Sequence, residues 1–188
     1  MEKSRVMIMV RCALFTSLIA IGAFIQIPVP FMDYFTLQFL FVLLSGMILG
    51  PKKGALSVSV YVLIGLIGVP IFAAGGGIQY IFRPSFGYLL GFIAASFVTG
   101  YIAEKNNAQT FSKYLLAAFG GFITTYGIGI LYKFLILNFY MGTPTSLYFI
   151  IVSCFPLDIP GDILLCLSAS FIMPKLKSIV SRKSVSNF

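Results

Sequence analysis

Apolar residues occur in long uninterrupted runs along this chain. Six stretches without charged residues cover positions 12–32, 34–51, 54–82, 84–103, 114–132 and 134–157. A helix needs about 20 apolar residues to cross ~30 Å of hydrocarbon, whereas the strands of a membrane β-barrel show alternating segments of ~10 residues. The runs do not alternate, so the pattern predicts an all-α integral membrane protein with a single membrane domain over residues 1–188.

Prolines, glycines and short polar stretches mark the ends of the predicted helices. The first span ends at Ile27-Pro28-Val29-Pro30, before a loop with Asp33, and a tight basic turn at residues 50–54 separates the second span from the third. Glycines and prolines divide the stretch 138–160, which we interpret as an outer loop with a short helix near 146–154. The six predicted spans are 10–27, 35–50, 55–69, 84–103, 114–137 and 161–174.

Composition narrows the class of function. The chain is 59% hydrophobic and 10% charged, whereas a soluble globular domain carries roughly 25% charged residues. It has no histidine and only five acidic residues, which argues against a metal site built from imidazoles or carboxylates. The three cysteines form no C-x-x-C pair and are interpreted as small apolar packing residues.

The net charge of +8 is unevenly distributed. If the N-terminus is cytoplasmic, eleven of the thirteen lysines and arginines fall on the cytoplasmic side, and only Arg83 and Lys133 fall on the outer half. Lysine and arginine are enriched in cytoplasmic loops of membrane proteins. The charge therefore predicts that both termini are cytoplasmic, and it argues against nucleic acid as a partner.

One segment, residues 67–91, breaks the apolar pattern with Gly75-Gly76-Gly77 and a lone Arg83 between two predicted spans. We interpret it as a loop over a membrane-embedded pocket. Glycines let a backbone approach a ligand closely, although a merely flexible loop is the alternative. Candidate ligand-binding residues in this loop are Phe72, Gly75, Gly76, Gly77, Gln79, Tyr80 and Arg83.

Four charged residues, Arg83, Lys133, Asp158 and Asp162, lie where the predicted membrane or its outer loops would be. A charge at bilayer depth costs on the order of 2.5–3.5 kcal/mol, so such residues usually face a cavity or one another. The two cations could instead extend to the headgroups. Asp162 opens a helix after Pro160-Gly161 and could cap it or accept hydrogen bonds from a ligand, so Asp162 and Lys133 join the candidate site.

Small residues four apart in the first span, Ala13 with Ser17 and Thr16 with Ala20, form a stripe on which another helix can pack closely. The stripe predicts either packing inside the chain's own bundle or docking of a partner helix.

The order of these pieces resembles the BioY family, the substrate-binding S components of energy-coupling-factor (ECF) transporters for biotin. The stretches that carry the resemblance are FTLQFLFVLLSGMILGPKKGALSVSVYVLIGLIGVPIFAAGGG at 35–77, RPSFGYLLGF at 83–92 and PLDIPGDILL at 156–165. The resemblance implies an S-component fold of six helices with cytoplasmic ends and a high-affinity site near the outer face. It also implies a prokaryotic cytoplasmic membrane, and no cofactor or ATPase of its own.

By the same resemblance, energy comes from a transmembrane coupling subunit and two ABC-type ATPases, and the stripe of the first span is the docking surface. Two departures are visible: Leu165 stands where family members commonly have a lysine, and Pro84-Ser85 stands where they read Pro-Thr. Arg83 or Lys133 could replace the missing charge, or the ligand could be a related acid such as lipoate. The lack of histidine and the small number of carboxylates disfavour an intramembrane enzyme, and the absence of inverted repeats disfavours an autonomous channel.

Overall fold

A computed structural model describes residues 2–28, 34–154 and 158–185, with side chains for 5–27, 35–154 and 158–177; Val29, Pro30, Asp33 and Pro156 lie outside these ranges. The helices are α1 Glu2–Phe24, α2 Gln38–Leu49, α3 Pro51–Leu66, α4 Phe86–Lys105, α5 Phe111–Leu135, α6 Leu147–Ser153 and α7 Asp158–Val185. Two short strands, β1 Gln26–Pro28 and β2 Tyr34–Thr36, pair antiparallel and form a ribbon between α1 and α2. A 3-10 turn covers Ile78–Phe82, and a π turn extends α5 over Ile136–Tyr140.

The predicted helical membrane fold is observed, with differences in detail. Among the residues that the structure describes, four helices are long and apolar enough to cross a membrane: Arg5–Phe24, Phe86–Lys105, Phe111–Tyr140 and Asp158–Lys177. Helices α2 and α3 have 12 and 16 residues and are shorter than the ~20 residues that a perpendicular span needs. The count of six spans and the cytoplasmic termini therefore stay predictions. The end of span one at residue 27 and the start of span two at residue 35 are wrong, because residues 26–28 and 34–36 pair as strands.

Helix α4 packs against α2, α3 and α5 at the centre of the bundle. Its contact with α2 requires glycine, since a Cβ at Gly46 would collide with the carbonyl oxygen of Ser96, and a Cβ at Gly100 would lie 2.7 Å from the carbonyl oxygen of Gly46. The hydroxyls of Ser45 and Ser96 lie 2.9 Å apart across the same contact. Small residues thus let these backbones approach, as is common between membrane helices.

A side-chain bond fixes the rotation of α1. The Thr16 hydroxyl donates to the carbonyl of Ser57 on α3 at 2.9 Å, and both residues are buried. Because residues on one helical turn point in different directions, this contact turns Leu14 and Ile21 outward, where their side chains are more than half exposed. Apolar side chains exposed in this way are typical of a surface that faces lipid or another protein.

The two ends of the bundle differ in character. The ribbon end carries β1, β2, the loop 67–85 and the residues that follow α5. The basic end carries the α2–α3 junction at Gly50 and the α4–α5 connection. At the basic end the ammonium of Lys177 donates to the carbonyl of Ala108 at 2.9 Å, and that of Lys113 donates to the carbonyl of Asn106 at 3.0 Å.

Candidate functional site

A cavity lies inside the ribbon end, between β2, α2, α4, α5, the 3-10 turn and the first turns of α7. Its lining combines aromatic rings with a few hydroxyls, one amide and two carboxylates, as is usual for a small-molecule site. The lining residues are Phe35, Thr36, Gln38, Phe39, Ala73, Tyr80, Ser85, Tyr88, Leu89, Phe92, Tyr126, Asp158 and Asp162.

The acidic side of the cavity, which we call the α7 wall, consists of Asp158 and Asp162 with Tyr88 and Tyr126. The two carboxylates are one helical turn apart and therefore share a face of α7. Tyr126 donates its hydroxyl to Oδ2 of Asp162 at 2.8 Å. Asp158 is 7% exposed, and its Oδ2 has no hydrogen-bond partner among the described residues. This wall keeps unused capacity to accept hydrogen bonds.

A second side of the cavity, which we call the ribbon wall, contains a chain of buried hydrogen bonds. Thr36 donates its hydroxyl to Oε1 of Gln38 at 3.1 Å, and Nε2 of Gln38 donates to the hydroxyl of Tyr61. Tyr61 in turn donates to the carbonyl of Ile71 at 3.0 Å. The chain connects the ribbon, α2, α3 and the loop after α3, so its polar groups are largely satisfied by one another.

Aromatic rings complete the cavity. Phe39 and Phe92 stack with ring centroids 5.8 Å apart, and Tyr88 meets Tyr126 edge to face at the same separation. At Gly161 a Cβ would collide with the ring of Phe35. Glycine before Asp162 therefore lets β2 pack directly against α7, which places the carboxylate beside the aromatic rings.

The loop that contains Gly75, Gly76 and Gly77, which we call the glycine loop, is held in its conformation by backbone hydrogen bonds. Gly75 and Gly77 have φ values of 108° and 104°, a region that glycine adopts without strain. The amide of Phe72 donates to the carbonyl of Gly75 at 2.9 Å, and the amide of Gly77 donates to the carbonyl of Gly65 at 2.8 Å. Gly75, Gly76 and Gly77 do not line the cavity, so their predicted contact with a ligand has no counterpart in this geometry.

Two side chains predicted near the ligand pack elsewhere. Phe72 is buried between the rings of Tyr61, at 5.5 Å, and Tyr80, at 4.6 Å. Gln79 is exposed and donates Nε2 to the carbonyl of Gly76 at 2.9 Å. Tyr80 does line the cavity. Among the loop residues that the sequence predicted to bind a ligand, Tyr80 is the one that lines the cavity.

The two candidate cations differ in their surroundings. The guanidinium carbon of Arg83 lies 5.2 Å from the centroid of the Tyr80 ring, and the arginine is exposed. Lys133 is only 7% exposed, points into the bundle on the same face of α5 as Tyr126, and interacts electrostatically with Asp158. Neither cation lines the cavity. The interpretation of Lys133 as a residue that extends to the membrane surface is wrong, since its side chain is buried.

The small-residue stripe of α1 is divided between two faces. Ala13 and Ser17 are exposed, and the Ser17 hydroxyl donates back to the carbonyl of Ala13 at 3.0 Å. Thr16 is buried against α3, and Ala20 is half-buried against the core. The structure therefore contradicts the accessible position predicted for Thr16, whereas Ala13 and Ser17 are accessible and Ala20 is partly so; docking of a partner on this face stays a prediction.

Sequence reasoning left most of the lining unassigned. The sequence indicates that Asp158 is a charged residue in the predicted membrane or its outer loops, but it did not lead us to predict Asp158 as a site residue. Tyr126 lies 36 positions from Asp162 in the chain, and nothing in the local pattern links the two. Leu165 is 7% exposed within the apolar core and does not line the cavity.

Known proteins resemble this chain over nearly its whole length. The model of the BioY family matches residues 1–182. A probable biotin transporter BioY of Lysinibacillus sphaericus is 36% identical over 171 residues, 91% of this chain and 87% of that protein. The biotin transporter BioY of Thermotoga maritima is 43% identical over 137 residues, 71% of this chain and 75% of that protein. A crystal structure of the S-component for biotin from an ECF-type ABC transporter matches with a TM-score of 0.81 at 26% identity, covering 95% of this chain and 94% of that one.

Proposed function

The chain belongs to the BioY family, and on this premise we propose that it binds biotin as the S component of an ECF-type ABC transporter. Relatives that carry this name match most of the chain, and the solved biotin S-component shares its fold. The chain's role is to bind and present the vitamin, not to catalyse a reaction.

The observation that carries this proposal is a cavity that combines aromatic walls with the carboxylate of Asp162. Biotin has an apolar bicycle, a ureido group with two N–H donors, and a carboxylate on a flexible tail. Stacked and edge-to-face rings such as Phe39, Phe92 and Tyr88 suit the bicycle. A carboxylate that still has acceptor capacity suits the ureido donors.

Charge sets the direction in which biotin lies. Two carboxylates on the α7 wall repel the ligand's own carboxylate in a low-dielectric site. The ureido group therefore lies at the α7 wall. The tail points toward Tyr80 and Ser85, beside which Arg83 supplies a positive charge.

The lysine that family members commonly carry at position 165 is absent, yet Leu165 lies in the core and not in the cavity. The presence of Leu165 therefore gives no reason to prefer an acid other than biotin as the ligand. Mass spectrometry of the ligand retained through detergent purification tests the function directly, and biotin is the expected species. Retention of lipoate, together with no measurable binding of biotin, would replace biotin with lipoate as the ligand.

The partners follow from the S-component role. A transmembrane coupling subunit docks on the exposed face of α1 at Ala13 and Ser17, and two ABC-type ATPases supply the energy in a prokaryotic cytoplasmic membrane. Both termini are cytoplasmic and the ribbon end faces outward. Labelling of a cysteine introduced at Ala74 on intact cells tests this orientation, which is wrong if only a cysteine at Lys52 reacts.

Bulk on the α1 face should block docking without disturbing the cavity, because α1 contributes no residue to its lining. We expect Ala13→Trp to abolish biotin uptake in cells while the Kd in detergent changes by less than about threefold, which is under 1 kcal/mol. Leu131→Trp, at a site on α5 that is 60% exposed, is the matched control and should leave uptake intact. Equal loss of uptake and binding would mean that Ala13 packs internally.

A further inference from the structure

Asp158 is the polar group of the cavity that the proposed function leaves unused. It lines the cavity, it is 7% exposed, and its Oδ2 lacks a hydrogen-bond partner within the described part of the chain. A buried acceptor without a partner is destabilising, and a charged one more so. A ligand or an ordered molecule usually satisfies the hydrogen-bonding capacity of such an atom.

Lys133 is the cation that acts on this carboxylate. It lies two helical turns beyond Tyr126 on the buried face of α5, and its charge interacts with Asp158. The positive charge of Lys133 offsets the buried negative charge of Asp158, which lies one helical turn from Asp162. Within the described ranges no cation acts on Asp162 in this way, and its hydrogen-bond partner is the Tyr126 hydroxyl.

The chemistry of a cyclic urea asks for two acceptors. Its two N–H groups lie on opposite sides of the carbonyl and point apart, so one carboxylate oxygen cannot receive both in good geometry. Residues at i and i+4 of a helix have Cβ atoms about 5–6 Å apart, a spacing that suits two diverging N–H groups. Asp158 and Asp162 have this relation on α7, and both line the cavity.

We propose that Asp158 is a second ligand-binding carboxylate, which accepts one ureido N–H of biotin while Asp162 accepts the other. This inference rests on the proposed function and deepens it. Lys133 is then a positioning residue: it acts through Asp158 by balancing its charge, and it does not touch the ligand's carboxylate. The recognition of a urea by paired carboxylates makes the site specific for ligands with two N–H donors.

The first test uses the unaltered protein, so no variant needs to fold. Two biotin derivatives, each methylated on one of the two ureido nitrogens, are titrated against the purified chain. Because each lacks one donor to a charged acceptor, we expect both to bind about 10- to 100-fold more weakly than biotin. If one derivative binds as tightly as biotin, a single acceptor serves the urea and the inference is wrong.

The second test assigns each nitrogen to its carboxylate. Asp158→Asn should weaken biotin about 10- to 100-fold, yet it should add less than threefold to the loss already caused by methylating one nitrogen. Asp162→Asn should show the same non-additivity with the other nitrogen. If the methyl groups weakened binding only through steric clashes, the two variants would not differ in the derivative with which each is non-additive. Additive losses in every combination would overturn the assignment.

A double-mutant cycle tests the role of Lys133. If the lysine acts through Asp158, Lys133→Met weakens biotin and biotin amide equally and has little further effect in the Asp158→Asn protein. If it binds the ligand's carboxylate, the loss is larger for biotin than for the amide and adds to that of Asp158→Asn, which contradicts the proposed role. Failure of the unaltered chain to bind biotin would remove the function itself; tight binding with an inert Asp158→Asn would remove only this inference.

Discussion

The two polar walls of the cavity use their hydrogen-bonding groups in opposite ways. On the ribbon wall, Thr36, Gln38 and Tyr61 bond to one another and to a backbone carbonyl. On the α7 wall, Asp162 receives one described hydrogen bond and Oδ2 of Asp158 receives none. A network that satisfies itself gives rigidity and shape, whereas unused acceptors await a partner. From this contrast we propose that the ribbon wall gives the cavity its shape and that the α7 wall recognises the ligand.

The largest effect is expected from a substitution on the α7 wall. Asp162→Asn replaces a charged acceptor by an amide, and we expect the Kd for biotin in detergent to rise about 10- to 100-fold, the equivalent of ~1.5–3 kcal/mol. Thr36→Val, a near-isosteric change on the ribbon wall, is the control and should alter the Kd by less than about threefold. A larger loss for Thr36→Val than for Asp162→Asn would reverse the assignment of the two walls.

The same substitution on each wall sharpens the contrast. Tyr61→Phe leaves Nε2 of Gln38 and the carbonyl of Ile71 unpaired in the interior, so we expect about 1–3 kcal/mol of lost stability and little change in the Kd. Tyr126→Phe removes only a donor to Asp162, so the Kd should change by about 2- to 10-fold with a smaller loss of stability. Thermal unfolding and ligand titration of both variants measure the two quantities, and matching profiles would erase the distinction.

The smallest effect concerns the ligand's tail. Arg83 is exposed, and ion pairs at exposed positions contribute about 0.2–1 kcal/mol. We therefore expect Arg83→Gln to weaken biotin about 1.5- to 5-fold and to leave binding of biotin amide unchanged. Parallel titrations of the acid and the amide measure the difference, and an equal loss for both would show that Arg83 does not recognise the carboxylate.

Much of the fold could be predicted from the sequence because membrane helices leave a strong local signal. The apolar runs and their breaks at glycine and proline predict where most helices lie. The ribbon escaped prediction because strands of three residues carry almost no periodicity. The pairing of Ile27 with Phe35 is set by tertiary contacts such as the packing of Phe35 against Gly161.

The site was harder to predict, for a physical reason. Glycines at 75–77 signal an unusual backbone conformation, and the sequence does not say whether a turn or a ligand requires it; here Gly75 and Gly77 form turns. A buried charge such as Asp158 signals a special environment, but its partners come from distant helices. Asp162 was predicted because it belongs to a recognisable local motif, whereas Tyr126 belongs to none.

The hydrogen bonds of the glycine loop bear on how long a ligand stays bound. A ligand leaves a cavity more slowly where hydrogen bonds hold the wall in place. The loop is attached to α3 by the amide of Gly77, to Tyr61 by the carbonyl of Ile71, and to itself by the paired backbones of Phe72 and Gly75. Lifting it breaks all of these bonds together. We therefore expect a ligand to leave past the glycine loop less readily than past a part of the wall that fewer such bonds hold.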